Sequence, residues 1–173
     1  MKRITTAISM MFLILSAVAA VCQSSTSKPA PELKQADVWV GEWVFSGTGK
    51  DSPTGPEYKV DWHLHGHWIL GGFFLQADSV WKDNAGETHY LEIVSYDPIK
   101  KVFSVSGFAS DGSTWALTSI FDESTWVDTG AQCRNTFHFS PDRIAVSGIS
   151  ECEEKGVRWT GFQVTGTKSA SAK

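Results

Sequence analysis

Past its first 22 residues the sequence has no stretch of ten or more residues with helical periodicity, which argues against an all-α or α/β domain. It has no basic cluster, and its charges are scattered singly, so nucleic acid is a poor partner. It has no Gly-x-Ser-x-Gly elbow, no paired thiol–imidazole motif and no glycine-rich phosphate loop. The pair Gly71-Gly72 does not qualify as a phosphate loop, because no helix follows to present its N-terminus to an anion. With no catalytic constellation visible, the chain reads as a non-enzyme. There are only three cysteines, Cys22, Cys133 and Cys152.

The ends are set apart from the middle. Lys2 and Arg3 precede an apolar run from Ala7 to Val21 that closes on small residues, the pattern of a secretory signal peptide over residues 1–22. The run is shorter than the roughly 20 residues a transmembrane helix needs. Cys22 raises the alternative of a lipid anchor, which Val21 directly before it fits poorly. Residues 23–36 are rich in Ser, Pro and Lys and read as a disordered tether, with Leu33 to Val38 open as one helical turn or a lead-in to the first strand; residues 169–173 read as a disordered tail. Export would remove two cations and no acids. The net charge would move from −4 to −6, with 13 basic against 19 acidic side chains. A single domain over 37–168, secreted or periplasmic, is expected.

The most informative stretch runs from Asp61 to Trp81. Two runs of alternating polarity flank Gly71-Gly72, a strong signal for a two-residue hairpin loop. Pairing Leu70 with Phe73 sets Trp62 opposite Trp81, Leu64 opposite Ser79 and Trp68 opposite Leu75. On the other face His63 meets Val80, His65 meets Asp78 and His67 meets Gln76. One face is apolar and aromatic, the other polar, and a one-residue slip would mix them. Gly66 interrupts the first run as an expected bulge or kink.

Further strands are expected at 39–47, 88–96, 102–109, 114–121, 133–140, 144–153 and 157–167, with a short one at 125–129. Tight turns separate them. Eight to ten short strands joined this way predict an all-β, up-and-down antiparallel barrel, since closure covers the apolar face and removes the edges. A β-sandwich is the competing architecture. Around the turn Ser140-Pro141-Asp142-Arg143, any odd-sum register puts Cys133, Phe137 and Phe139 on one face with Ile144, Val146 and Cys152. In an oxidising compartment this favours a Cys133–Cys152 disulfide over two buried thiols.

Gly41-Glu42-Trp43 on the first strand resembles the Gly-x-Trp signature of the calycin superfamily, the lipocalins, fatty-acid-binding proteins and their relatives. Trp68 to Leu75, Ser95-Tyr96-Asp97-Pro98 and Phe108 to Gly112 resemble a family of secreted bacterial barrels of unknown function within it. The resemblance implies a barrel in which Trp43 closes one end beneath a basic residue from the last strand, for which Arg158 is the candidate. It supplies no agreed ligand, and the helix that lipocalins carry between their last strands is missing.

Three readings of the site follow. Eight tryptophans are many for a domain this small. They point either to a packed core or to a partly open lumen that holds a small hydrophobic molecule, with Trp43, Trp62, Leu64, Trp68, Leu75 and Trp81 as candidate lining. Ser104, Ser106 and Ser119 sit among apolar neighbours and are candidates for orienting such a ligand. Alternatively, His63, His65 and His67 with Asp78 have the strand-borne His-x-His spacing that can hold zinc or copper. If the tryptophan face is the buried one, however, these imidazoles point to solvent. Some calycin-like barrels hold haem through one histidine, yet nothing in the pattern puts any of His63, His65, His67, His89 and His138 inside a lumen, so no cofactor is assigned. The third reading is a solid barrel that docks a partner protein.

Overall fold

The computed structural model describes residues 28–169, so the signal peptide, Cys22 and the first part of the tether lie outside the described residues. Ten strands follow a 3₁₀ helix at Pro31–Trp39: β1 Gly41–Gly49, β2 Tyr58–Ile69, β3 Phe74–Asp83, β4 Gly86–Asp97, β5 Val102–Ala109, β6 Thr114–Asp122, β7 Thr125–Thr129, β8 Cys133–Phe139, β9 Ala145–Glu154 and β10 Val157–Lys168. Each strand pairs antiparallel with its chain neighbours, and β1 pairs with β10 to close the cylinder. The architecture is the expected up-and-down barrel; a sandwich would have left β1 and β10 unpaired.

The alternation argument for the β2–β3 hairpin holds pair for pair: Trp62 faces Trp81, Leu64 faces Ser79, His65 faces Asp78 and Trp68 faces Leu75. Its loop is wider than expected. Pairing stops at Ile69 with Phe74, and Leu70, Gly71 and Gly72 all take positive φ. Register is dictated by burying one face and exposing the other, so it survives a different turn.

Two expectations are corrected. Gly66 makes no bulge: the register passes through it unbroken, from Gly41 on β1 to Ala77 on β3. A Cβ there would lie 2.1 Å from the Trp39 carbonyl oxygen, so this glycine lets the 3₁₀ helix lie directly on β2. Residues 31–36, expected in the tether, belong to that helix, and Leu33 and Ala36 are buried. Two apolar side chains spaced three apart share one face of a 3₁₀ helix, enough to seat it across the barrel end.

The helix plugs the end where β1 begins. Trp39 stands edge-on to Phe137 and Phe139, each ring 5.0 Å away, and to Trp43 and Trp126. Trp43, Phe45, Phe103 and Trp126 are almost wholly buried around it. Cys133 and Cys152 are direct partners on β8 and β9 and form the disulfide. Phe137, Phe139, Val146 and Cys152 share the inner face, as the odd-sum register requires. Ile144 does not; it lies in the turn and is exposed.

Candidate functional site

Between this floor and the loops at the opposite end the barrel holds a cavity of about 710 Å³. Trp39 is its base, and Asp51, Ala131 and Gln132, all exposed, mark its mouth. The mouth is braced by its own side chains. Trp159 Nε1 donates to the Lys50 carbonyl at 3.2 Å, Trp81 Nε1 to Asp83 Oδ2 at 3.2 Å, and Tyr58 Oη to Asp51 Oδ1 at 2.5 Å. Burial and the adjacent Asp51 carboxylate push the Tyr58 hydroxyl well above its ordinary pKa, so it stays a donor at any physiological pH.

Four of the six residues expected as lining, Trp62, Leu64, Leu75 and Trp81, do wall the cavity. Trp43 lies below the floor, stacked on Phe45. Trp68 is at the plugged end, where its Nε1 donates to Asp37 Oδ1 at 2.7 Å and fastens the 3₁₀ helix to β2. Both are therefore structural parts of the closed end. Gly41 takes φ +103, a region L side chains rarely adopt, as the chain turns from the helix into β1.

The cation over Trp43 is Lys168, with Nζ 5.1 Å from the ring centroid, and this corrects the choice of Arg158. Because β10 runs antiparallel to β1, its last residue, not its first, lies beside Trp43. Arg158 sits at the other end of the strand, exposed, with Nε donating to Glu153 Oε2 at 2.8 Å.

The histidine row faces outward. His65 Nδ1 pairs with Glu42 Oε1 at 2.5 Å, whereas His67 Nδ1 is 3.9 Å from Asp78 Oδ2, beyond hydrogen-bond reach. His63 is exposed between Val44 and Val80 on the adjacent strands. Gln76, not an imidazole, donates to Asp78. Among the described residues no three His, Cys, Asp or Glu side chains are grouped as a metal site. His89 pairs with Glu87, and His138 Nδ1 hydrogen-bonds with Thr125 Oγ1, both on the outside. None of the five histidines borders the cavity, so the residues present offer no imidazole to a haem there.

The chemistry inside the lumen comes from two carboxylates that the sequence reading passed over. Glu92 on β4 borders the cavity and accepts from Trp115 Nε1 at 3.1 Å. Glu92, Gly107 and Trp115 are aligned across β4, β5 and β6. A Cβ on Gly107 would lie 1.9 Å from the Trp115 ring, so the glycine is what lets that indole reach across to Glu92. Asp128 on β7 accepts from Ser119 Oγ and Trp126 Nε1, each at 2.6 Å. Its cross-strand neighbour Asn135 also borders the cavity, with Oδ1 buried and unpaired among the described residues.

Burial raises the Glu92 pKa to about 7, with the Asp128 charge adding to the effect. Burial likewise raises Asp128 to about 6 against the opposing hydrogen bonds. Glu92 is deep in the barrel yet only partly shielded, since its open side faces the cavity. Of the serines expected to orient a ligand, Ser104 and Ser106 alternate outward, and Ser119 is fully buried against Asp128.

Both carboxylates had a signal. Trp126 must face inward, which carries Asp128 inward with it, and continuing the hairpin register places Val94 opposite Leu75 and hence Glu92 in the lumen.

No family model matches the chain, and no curated protein sequence matches it. Among solved structures, the crystal structure of Rv2717c from M. tuberculosis is similar in fold, with a TM-score of 0.60 over 83% of this chain and 100% of that one, at 11% sequence identity. At that identity the likeness extends to the barrel alone.

Proposed function

We propose that this protein is an exported, calycin-like barrel that holds a small, largely apolar molecule in its lumen and performs no catalysis on it. The observation that carries the reading is the cavity of about 710 Å³ walled by Trp62, Leu64, Leu75 and Trp81. Ligand pockets usually measure about 300–1,000 Å³ and are lined mainly by apolar and aromatic side chains. Export is supported by the leader-like residues 1–22 and by the Cys133–Cys152 disulfide, which suits an oxidising compartment. The calycin-like assignment is supported by Gly41-Glu42-Trp43 at a closed barrel end with Lys168 above the indole.

The uncharged fluorophore N-phenyl-1-naphthylamine tests it. One molecule per barrel, with blue-shifted emission, is expected to bind the exported protein. Ala77→Phe and Ser79→Phe, which push bulk into the lumen from β3, are each expected to abolish binding while leaving the far-ultraviolet circular dichroism unchanged. Absence of binding to the parent protein, or binding that both filled variants retain, defeats the proposal.

A further inference from the structure

The polar groups on the cavity wall are unbalanced. Glu92, Asp128 and Asn135 Oδ1 present acceptors. The hydrogen bonds to the two carboxylates come from Trp115 on one side and from Ser119, Trp126 and the Asn135 amide on the other, and Asn135 Oδ1 itself has no donor among the described residues. Lys50, at the mouth, is the one Lys or Arg among the described residues that border the cavity. The Trp115 indole held over Gly107 keeps Glu92 fixed in this setting. An anionic ligand would meet two carboxylates with no cation at depth, and a purely apolar one would leave buried acceptors without donors. An alkylammonium carries three N–H donors and a positive charge that aromatic walls also attract.

We infer that Glu92, Asp128 and Asn135 form a subsite for the ammonium group of an amphipathic amine, whose aromatic or aliphatic body lies against Trp62, Leu64, Leu75 and Trp81. The inference rests on the lumen-binding reading above and narrows the ligand class. Because the carboxylates hold their protons to higher pH than usual, a cation must displace protons on entering, and its affinity rises as pH climbs from 5 to 8. The other ionisable groups bordering the cavity are Lys50, Asp51, Tyr58, Asp83 and Tyr90. Burial holds Tyr58 and Tyr90 above the ordinary tyrosine range, so both stay neutral across that interval, and Lys50, Asp51 and Asp83 are at the mouth.

Three probes sharing one ring system decide the matter by calorimetry: 2-(1-naphthyl)ethylamine, 2-(1-naphthyl)ethanol and 1-naphthylacetate. The amine is expected to bind the parent protein at pH 8 at least about tenfold more tightly than the alcohol, and the carboxylate most weakly. The amine-to-alcohol ratio is expected to fall at pH 5, a readout that needs no variant. Glu92→Gln and Asp128→Asn, close in shape to the residues they replace, are each expected to bring the ratio towards one while the alcohol binds as before. An alcohol equal to the amine, or a carboxylate that binds best, overturns the ammonium subsite and leaves the apolar lumen standing. If N-phenyl-1-naphthylamine binds and the amine does not, the subsite also falls. If none of the four compounds binds, both readings fall together.

Discussion

At the plugged end of the barrel Trp43 and Phe45 are 1% exposed, and Trp39, Trp126, Phe137 and Phe139 interlock edge to face around them. At the open end Trp62, Trp81 and Trp159 are only half-buried, and their indoles border a void that the acids Glu92 and Asp128 also line. Both ends are built from aromatic side chains that face inward, at the plugged end from β1, β7, β8 and the 3₁₀ helix and at the open end from β2, β3 and β10. They differ in what covers them: a 3₁₀ helix whose Leu33, Ala36 and Val38 enter the core on one side, and loops alone on the other. An aromatic side chain stabilises a fold in proportion to the contacts that surround it, so one end supplies stability and the other leaves room for a guest.

The contrast can be broken most forcefully at the floor. Trp43→Ala is expected to cost about 3–5 kcal/mol in urea denaturation, as for large aromatics removed from packed cores, whereas Trp81→Ala, already facing a void, is expected to cost about half as much. Equal losses would mean that the two ends are packed alike.

The open end has a covalent brace of its own. Cys133 and Cys152 are 19 residues apart, and their disulfide ties β8 to β9 beside the mouth. Replacing both by serine is expected to destabilise by about 3 kcal/mol on loop-closure grounds. Thermal unfolding with and without reductant checks this, and a reductant-insensitive midpoint would contradict it.

The smallest expected effect is the most diagnostic of the acidic lumen. Folding raises the Glu92 pKa from 4.5 to about 7, so the folded state binds more protons than the unfolded chain between those values. The contribution is fully present below about pH 4.5 and is lost as pH rises through 7. Stability is therefore expected to fall by on the order of 2 kcal/mol between pH 4.5 and 8, since water entering the lumen relieves part of the burial. Glu92→Gln is expected to flatten that slope and to be more stable than the parent at pH 8. A parent whose stability is constant or rising over that interval would show that Glu92 is solvated like a surface carboxylate.

Much of this was legible in the sequence because strands obey a period of two. Alternation through Trp62, Leu64, Ser79 and Trp81 was enough to place the β2–β3 register and to turn the histidines outward. It failed where a long-range partner decides. The cation over Trp43 depends on which end of a twelve-residue strand lies beside it, and that separates Lys168 from Arg158. From sequence, Leu33 to Val38 reads as either a helical turn or a lead-in, and only an open barrel end that buries Leu33 and Ala36 decides for the helix. Alternation with Val94 and Trp126 turns Glu92 and Asp128 inward, but neither strand by itself says that the two acids border one cavity.

The sequence by itself determined the strands, their alternating faces, the register of the early hairpin and the pairing of Cys133 with Cys152, since each follows from neighbours a few residues apart or one turn away. Only the tertiary structure decided that the cylinder stays hollow above Trp39, that a 3₁₀ helix seals one end, and that two carboxylates share the interior. Those outcomes depend on ten strands closing on one another, and the radius and filling of a closed sheet belong to the whole ring and to no single segment of it.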